Sequence, residues 1–123
     1  MKKIGFIGAG NMATAIIKGL MAQNDGKADF INVFDVSEEK CAAMKNMGAN
    51  VMTSADEIAK NSSIVVLAVK PQNYPEVLES LKNSITTAKT VVSIAAGISI
   101  AYVRKGLECD CPVCLLYTSP SPR

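Results

Sequence analysis

The stretch near the amino terminus constrains the fold more than anything else in the chain. Ile4-Gly5-Phe6-Ile7 is an apolar strand that runs straight into Gly8-Ala9-Gly10-Asn11-Met12-Ala13, where a helical pattern begins. Each small residue there has a separate duty. Gly8 permits a tight turn, Gly10 lets a pyrophosphate approach the backbone closely, and Ala13 stands in for a third glycine so that the helix can sit against its own strand. The first amides of a helix have no intrahelical acceptor, and its dipole places partial positive charge beside them, so a phosphate binds without a basic side chain. The pattern is the dinucleotide-binding fingerprint. The plainer alternative is a glycine-rich turn of an ordinary α/β protein, and the order of the elements downstream favours the fingerprint.

Helical spacing continues over 11–23, with Met12, Ile16, Ile17 and Leu20 on the inward stripe, until Asn24-Asp25-Gly26-Lys27 supplies a turn. A second strand follows at 30–34, with Asp35 at its carboxyl end. Ser37 is placed to cap a helix to about residue 47, Glu38 and Glu39 suit its first turn, and Gly48 stops it. After a short strand at 50–52, Ser54-x-x-Glu57 has capping-box spacing and opens a helix to about 60. Residues 64–69 are apolar throughout, the pattern of a parallel strand buried on both faces. Pro75 and Glu76 begin a helix that turns Val77, Leu78 and Leu81 inward, residues 90–94 form a fifth strand, and Ser99 caps a last helix to about 105. Strands alternating with helices imply right-handed βαβ units. The expected fold is α/β, a Rossmann-type doubly wound parallel sheet in three αβα layers. Its expected strand order is 3-2-1-4-5, any sixth strand lying beside the fifth.

Composition excludes several functions. At 123 residues the chain has room for about one domain, and a net charge of +2 is too weak a bias for nucleic acid or an anionic membrane. The absence of histidine removes the commonest general base and metal ligand. No apolar run approaches the length of a membrane span, and Met1-Lys2-Lys3 leads directly into a strand, so a cytoplasmic location is expected. Cys109-x-Cys111-x-x-Cys114 has the outline of a metal knuckle without a second ligand pair, and Cys41 stands alone in a helix. Reduced thiols are the simpler reading, and no metal is expected.

In such folds the ligand lies at the carboxyl ends of the strands, where strands one and four meet. Segments 8–12, 35–37, 68–71 and 95–97 converge there. The candidate cofactor-binding residues are Phe6, Ile7, Gly8, Ala9, Gly10, Asn11 and Met12, then Asp35 and Ser37, then Ala68, Val69, Lys70 and Pro71, and finally Ala95, Ala96 and Gly97. Pro71 holds Lys70 extended, either as a contact in the crevice or as a solvated loop lysine. Ala95-Ala96-Gly97 is small enough for a nicotinamide or ribose to lie against it, and serves equally as a tight strand-to-helix turn. Asp35 suits the 2′-hydroxyl of NAD, whereas Ser37 and Lys40 suit the 2′-phosphate of NADP. The pattern alone leaves that choice open.

Gly5-Phe6-Ile7-Gly8-Ala9-Gly10-Asn11-Met12, Ala68-Val69-Lys70-Pro71 and Val92-Ser93-Ile94-Ala95-Ala96-Gly97-Ile98, in that order, resemble pyrroline-5-carboxylate reductase over residues 1–113. The resemblance implies reduction of 1-pyrroline-5-carboxylate to proline by NADPH, with NADH possible. It also implies cofactor contacts at Lys70 and at 95–97, and Ser37 matches a 2′-phosphate contact. An asparagine of the family's cofactor pocket aligns near Ala55 and is absent here. After Cys111-Pro112-Val113 the family continues into a Met-Pro-Asn-Thr-Pro loop and a helical domain that supplies the dimer interface and most of the substrate pocket. This chain reads Cys114-Leu115-Leu116-Tyr117-Thr118-Ser119-Pro120-Ser121-Pro122-Arg123, which resembles the translation of a transposon-type sequencing adapter; a genuine short tail is the alternative. The expectation is a dinucleotide-binding domain at 1–113 and a non-native or disordered tail at 114–123, with residues near 112–116 pairing beside strand five. No catalytic residue is expected within the chain, which by itself should turn over little or no substrate. The intact enzyme is expected to be a homo-oligomer that binds neither nucleic acid nor membrane. The alternatives are another oxidoreductase of the same plan, using a hydroxyacid or a deazaflavin, and a stand-alone dinucleotide-binding module without catalysis.

Overall fold

The computed structural model describes residues 3–23, 25–82, 84–85, 89–94, 100–108 and 113–115. Strand β1 (Ile4–Ile7) pairs in parallel with both β2 (Ile31–Phe34) and β4 (Ile64–Leu67). Beyond β2 lies β3 (Asn50–Val51), and beyond β4 lie β5 (Thr90–Ser93) and β6 (Val113–Leu115). The six-stranded order is β3-β2-β1-β4-β5-β6, so the direction of winding reverses between β1 and β4. The expected sixth strand is present at Val113–Leu115, its register pairing Val91 with Val113 and Ser93 with Leu115. It runs two residues beyond the expected domain end; the remainder of the tail lies outside the described residues.

The helices α1 (Asn11–Ala22), α2 (Glu38–Asn46), α3 (Ala55–Asn61), α4 (Tyr74–Leu81) and α5 (Ile100–Leu107) cover the sheet in two layers. Successive strand residues point to opposite faces. Phe6, Val33 and Val66 therefore join Ala13, Ile17 and Met44 in one core layer. Ile7, Val65 and Leu67 join Ile58, Leu78 and Val103 in the other. This is why β4 has no polar alternation: both of its faces are inside. Burying each such large side chain contributes about 1.5–3 kcal/mol.

The local signals act largely as expected. The Ser37 hydroxyl accepts from the Lys40 amide at the start of α2. Gly48, at φ +100°, ends that helix with bonds from Gly48 N to Lys45 O (3.0 Å) and Ala49 N to Met44 O (3.1 Å), a Schellman arrangement. Three expectations need correction. The Glu57 carboxylate accepts from the Thr53 amide (2.8 Å) and hydroxyl, one residue before the cap of a standard box, while Ser54 Oγ still accepts from Glu57 N at 3.2 Å. The helix expected from Pro75 begins at Tyr74, after a 3₁₀ turn over Pro71–Asn73, because Tyr74 is drawn fully into the core. Met12, expected on the buried stripe of α1, is 40% exposed, because the first turn of α1 stands above the strand ends; Ala13 and Ile17 occupy the core instead. The expected cap at Ser99 lies outside the described residues.

Candidate functional site

The two glycines of the first turn are there for different reasons. Gly8 has φ +107°, and a Cβ on it would lie 2.6 Å from the Ala68 carbonyl oxygen. The turn therefore needs glycine to exist at all. Its amide donates to Phe34 O at 2.7 Å. Gly10 has φ −76° and ψ −169°, extended backbone open to any residue, and a Cβ on it would meet nothing within 4 Å among the described residues. Among the described residues nothing requires glycine at that position. Gly10 caps the start of α1 without a side chain. Thr14 closes the first turn, its amide and hydroxyl both donating to Gly10 O at 2.9 Å. Ala9 and Ala13 are buried, seating the helix on its strand as the small residues require. A phosphate fits this cradle: among the described residues nothing stands where a Cβ on Gly10 would lie, and a side chain there would fill that space.

Asp35 continues from β2 and reaches back to that turn. Its Oδ2 accepts from the Ala9 amide at 2.7 Å and its Oδ1 from the Ser37 amide at 2.8 Å. The Cys41 thiol donates to its carbonyl at 3.2 Å. Asp35 is thus no free acceptor waiting for a ribose, although each carboxylate oxygen keeps further lone-pair capacity. Ser37 is half-buried, and Lys40, Glu38 and Glu39 are exposed around the start of α2. Val36 between them is 90% exposed. It was absent from the candidate set, and its one legible signal is an apolar residue directly after Asp35 in a polar loop.

Ala68 and Val69 leave the end of β4, Ala68 N still donating to Ile7 O at 2.8 Å. Lys70 is exposed, and its carbonyl accepts from Asn73 N at 2.9 Å to form the 3₁₀ turn begun by Pro71. Segments 8–12, 35–37 and 68–71 are therefore brought together at the carboxyl edge. Ala95, Ala96 and Gly97 lie outside the described residues; Ile94, directly before them, donates its amide to Leu67 O (3.3 Å). Phe6 and Ile7 are buried in opposite core layers, so only their backbone is near the turn. Ala55 is buried at the start of α3, in the core. Beneath the edge, the hydroxyl of fully buried Tyr74 donates to Leu67 O at 3.0 Å and pairs with Ser93 Oγ at 2.9 Å, tying the ends of β4 and β5. Sequence reasoning missed this pair: Ser93 falls within the motif of residues 92–98, but nothing in the sequence shows that Tyr74, 19 residues earlier, is its partner. Among the described residues no three potential metal ligands cluster, and no helix is long and apolar enough to cross a membrane. Cys109 and Cys111 lie outside the described residues.

A family model described as NADP oxidoreductase, coenzyme F420-dependent, matches residues 3–97. The pyrroline-5-carboxylate reductase of Escherichia coli (strain K12) is 40% identical over 110 residues, which are 89% of this chain and 41% of that protein. Among solved structures, a pyrroline-5-carboxylate reductase from Coxiella burnetii superposes with a TM-score of 0.78 at 36% identity, covering 86% of this chain and 40% of that one. A Plasmodium falciparum pyrroline carboxylate reductase with NADP bound gives a TM-score of 0.74 at 30% identity, covering 86% and 38%. The chain thus spans about two fifths of the length of the relatives it matches.

Proposed function

This chain belongs to the NADP oxidoreductase, coenzyme F420-dependent, family, and from that premise we propose that it is the dinucleotide-binding domain of a pyrroline-5-carboxylate reductase. The single observation that carries the reading is Gly10, the cap of α1, where among the described residues nothing stands within 4 Å of where a Cβ would lie. There the backbone amides of α1 hold the pyrophosphate of NADPH, with NADH also accepted. The loop of Asp35 and Ser37 lies toward the adenosine half, and Ala68, Val69, Lys70 and Pro71 toward the nicotinamide half, to which the resemblance also assigns Ala95, Ala96 and Gly97. When bound, the reduced nicotinamide supplies a hydride for the imine of 1-pyrroline-5-carboxylate. The residues of this chain bind and orient. The cofactor domain is residues 1–113, and 114–123 are a foreign tail.

The remaining length of the relatives supplies the catalytic groups, the substrate pocket and the homo-oligomer interface. The intact protein works in the cytoplasm on this small substrate, without nucleic acid or membrane. Titrating the chain with NADPH and NADH, following nicotinamide fluorescence, should give saturable binding. Adding 1-pyrroline-5-carboxylate should give no dinucleotide oxidation, whereas the product of the full source gene should oxidise NADPH and release proline. No binding by the chain would refute the cofactor reading, and no proline from the full product would refute the substrate reading.

A further inference from the structure

We propose that Asp35 is a positioning residue that fastens the phosphate-binding turn, and that it acts on NADH and NADPH alike. The proposal rests on the dinucleotide reading above. Both carboxylate oxygens are engaged by backbone donors, Ala9 N at 2.7 Å and Ser37 N at 2.8 Å. These are short, charge-assisted bonds. Ala9 lies 26 residues earlier in the chain, so the side chain joins the β1–α1 turn to the β2–α2 loop. Two donors facing one side chain need two acceptors. Asparagine would set its own NH₂ against one of the amides, and serine is too short to reach both. The Gly8 amide also bonds to Phe34 O at 2.7 Å, so the end of β2 holds two successive amides of the turn. With Gly8 and Ala9 fixed, and Ala9 buried, the direction of the first amides of α1 is fixed as well.

Those amides meet the pyrophosphate, which the two dinucleotides share. Loosening the clasp therefore weakens both. A carboxylate acting only as an unengaged charge beside the 2′ position would separate them, because its loss would relieve a 2′-phosphate and deprive a 2′-hydroxyl.

The test is Asp35→Ala, with Asp35→Asn as the variant that keeps the shape and one acceptor. Affinities for NADH and NADPH are measured by titration, and backbone exchange by NMR of the unliganded protein. In Asp35→Ala both affinities should fall about tenfold with their ratio held within about twofold, and in Asp35→Asn both should fall less. Exchange at Ala9 and Ser37 should quicken, while the amides of β1 and β4 keep their protection. If Asp35→Ala fails to fold, the common, smaller loss in Asp35→Asn carries the same expectation. A rise in NADPH affinity with a fall for NADH overturns the proposal and makes Asp35 a charge selector. Faster exchange with unchanged affinities overturns the positioning role alone. Failure of the unsubstituted chain to bind either dinucleotide overturns the cofactor reading, and the positioning role with it.

Discussion

Replacing Gly10 with valine separates what the fold needs from what the ligand needs. The backbone at Gly10 is extended, and a Cβ there meets nothing within 4 Å among the described residues, so valine adds no clash with them. Valine is a poorer N-cap than glycine by about 0.5–1 kcal/mol. Restricting the unfolded chain returns about 0.4–1 kcal/mol. The net change in stability is therefore below about 1 kcal/mol, or about 4 °C in Tm for a chain of this size. The ligand is affected far more. A branched side chain in the open space keeps a phosphate from the first amides of α1, and losing two charge-assisted bonds at about 1.5–3 kcal/mol each predicts at least a hundredfold loss of affinity, roughly, for either dinucleotide. Gly8→Ala is the control. It forces alanine to φ +107° with its Cβ 2.6 Å from a backbone carbonyl that cannot rotate away, so it should cost about 3 kcal/mol or more in stability. Thermal unfolding followed by circular dichroism and nicotinamide-fluorescence titration measure the two effects on the same samples. Wild-type affinity in Gly10→Val would refute the assignment of the site, and unfolding of Gly10→Val would refute the claim that the fold leaves that space empty.

Further outcomes follow from particular contacts. Gly5→Ala should destabilise by about 2 kcal/mol through overpacking, because its Cβ would lie 2.4 Å from both Ile58 Cγ2 and Ser62 Oγ, residues with no room to yield; an unchanged urea midpoint would count against it. Tyr74→Phe leaves Ser93 Oγ and Leu67 O without the phenol in a buried setting and should cost about 1–2 kcal/mol, read as a lower Tm, with a wild-type melt as the contrary result. The carboxyl of Glu57 is held below its ordinary range, first by the Thr53 hydroxyl and then by the Thr53 amide. A depressed folded value means stabilisation that is present above the unfolded value and lost as pH falls through the folded one. Glu57→Gln should therefore flatten part of the stability loss as pH falls through and below the ordinary glutamate range, and an unaltered acid slope would sink that assignment.

The strand–turn–helix at residues 4–13, the continuous apolar run of β4, the cap at Ser37 and the stop at Gly48 all act through neighbours close in sequence. A reader of the sequence can place them because turn chemistry, capping and hydrophobic period are local. Even the strand order followed, since right-handed crossovers leave few ways to stack alternating strands and helices. What sequence could not decide was which partner each polar group finds across the fold. Asp35 read as an open acceptor for a ribose, and only the packing of β2 beside β1 brings the Ala9 amide to it. Tyr74 and Ser93 are 19 residues apart and meet only because β4 and β5 are neighbours. The two glycines of the fingerprint look alike on paper. The tertiary structure tells them apart, because the Ala68 backbone closes over Gly8 and, among the described residues, nothing closes over Gly10. Sequence determined the elements and the edge where a ligand belongs; long-range contacts, which leave no periodic trace, decided which residues build that edge and which keep it open.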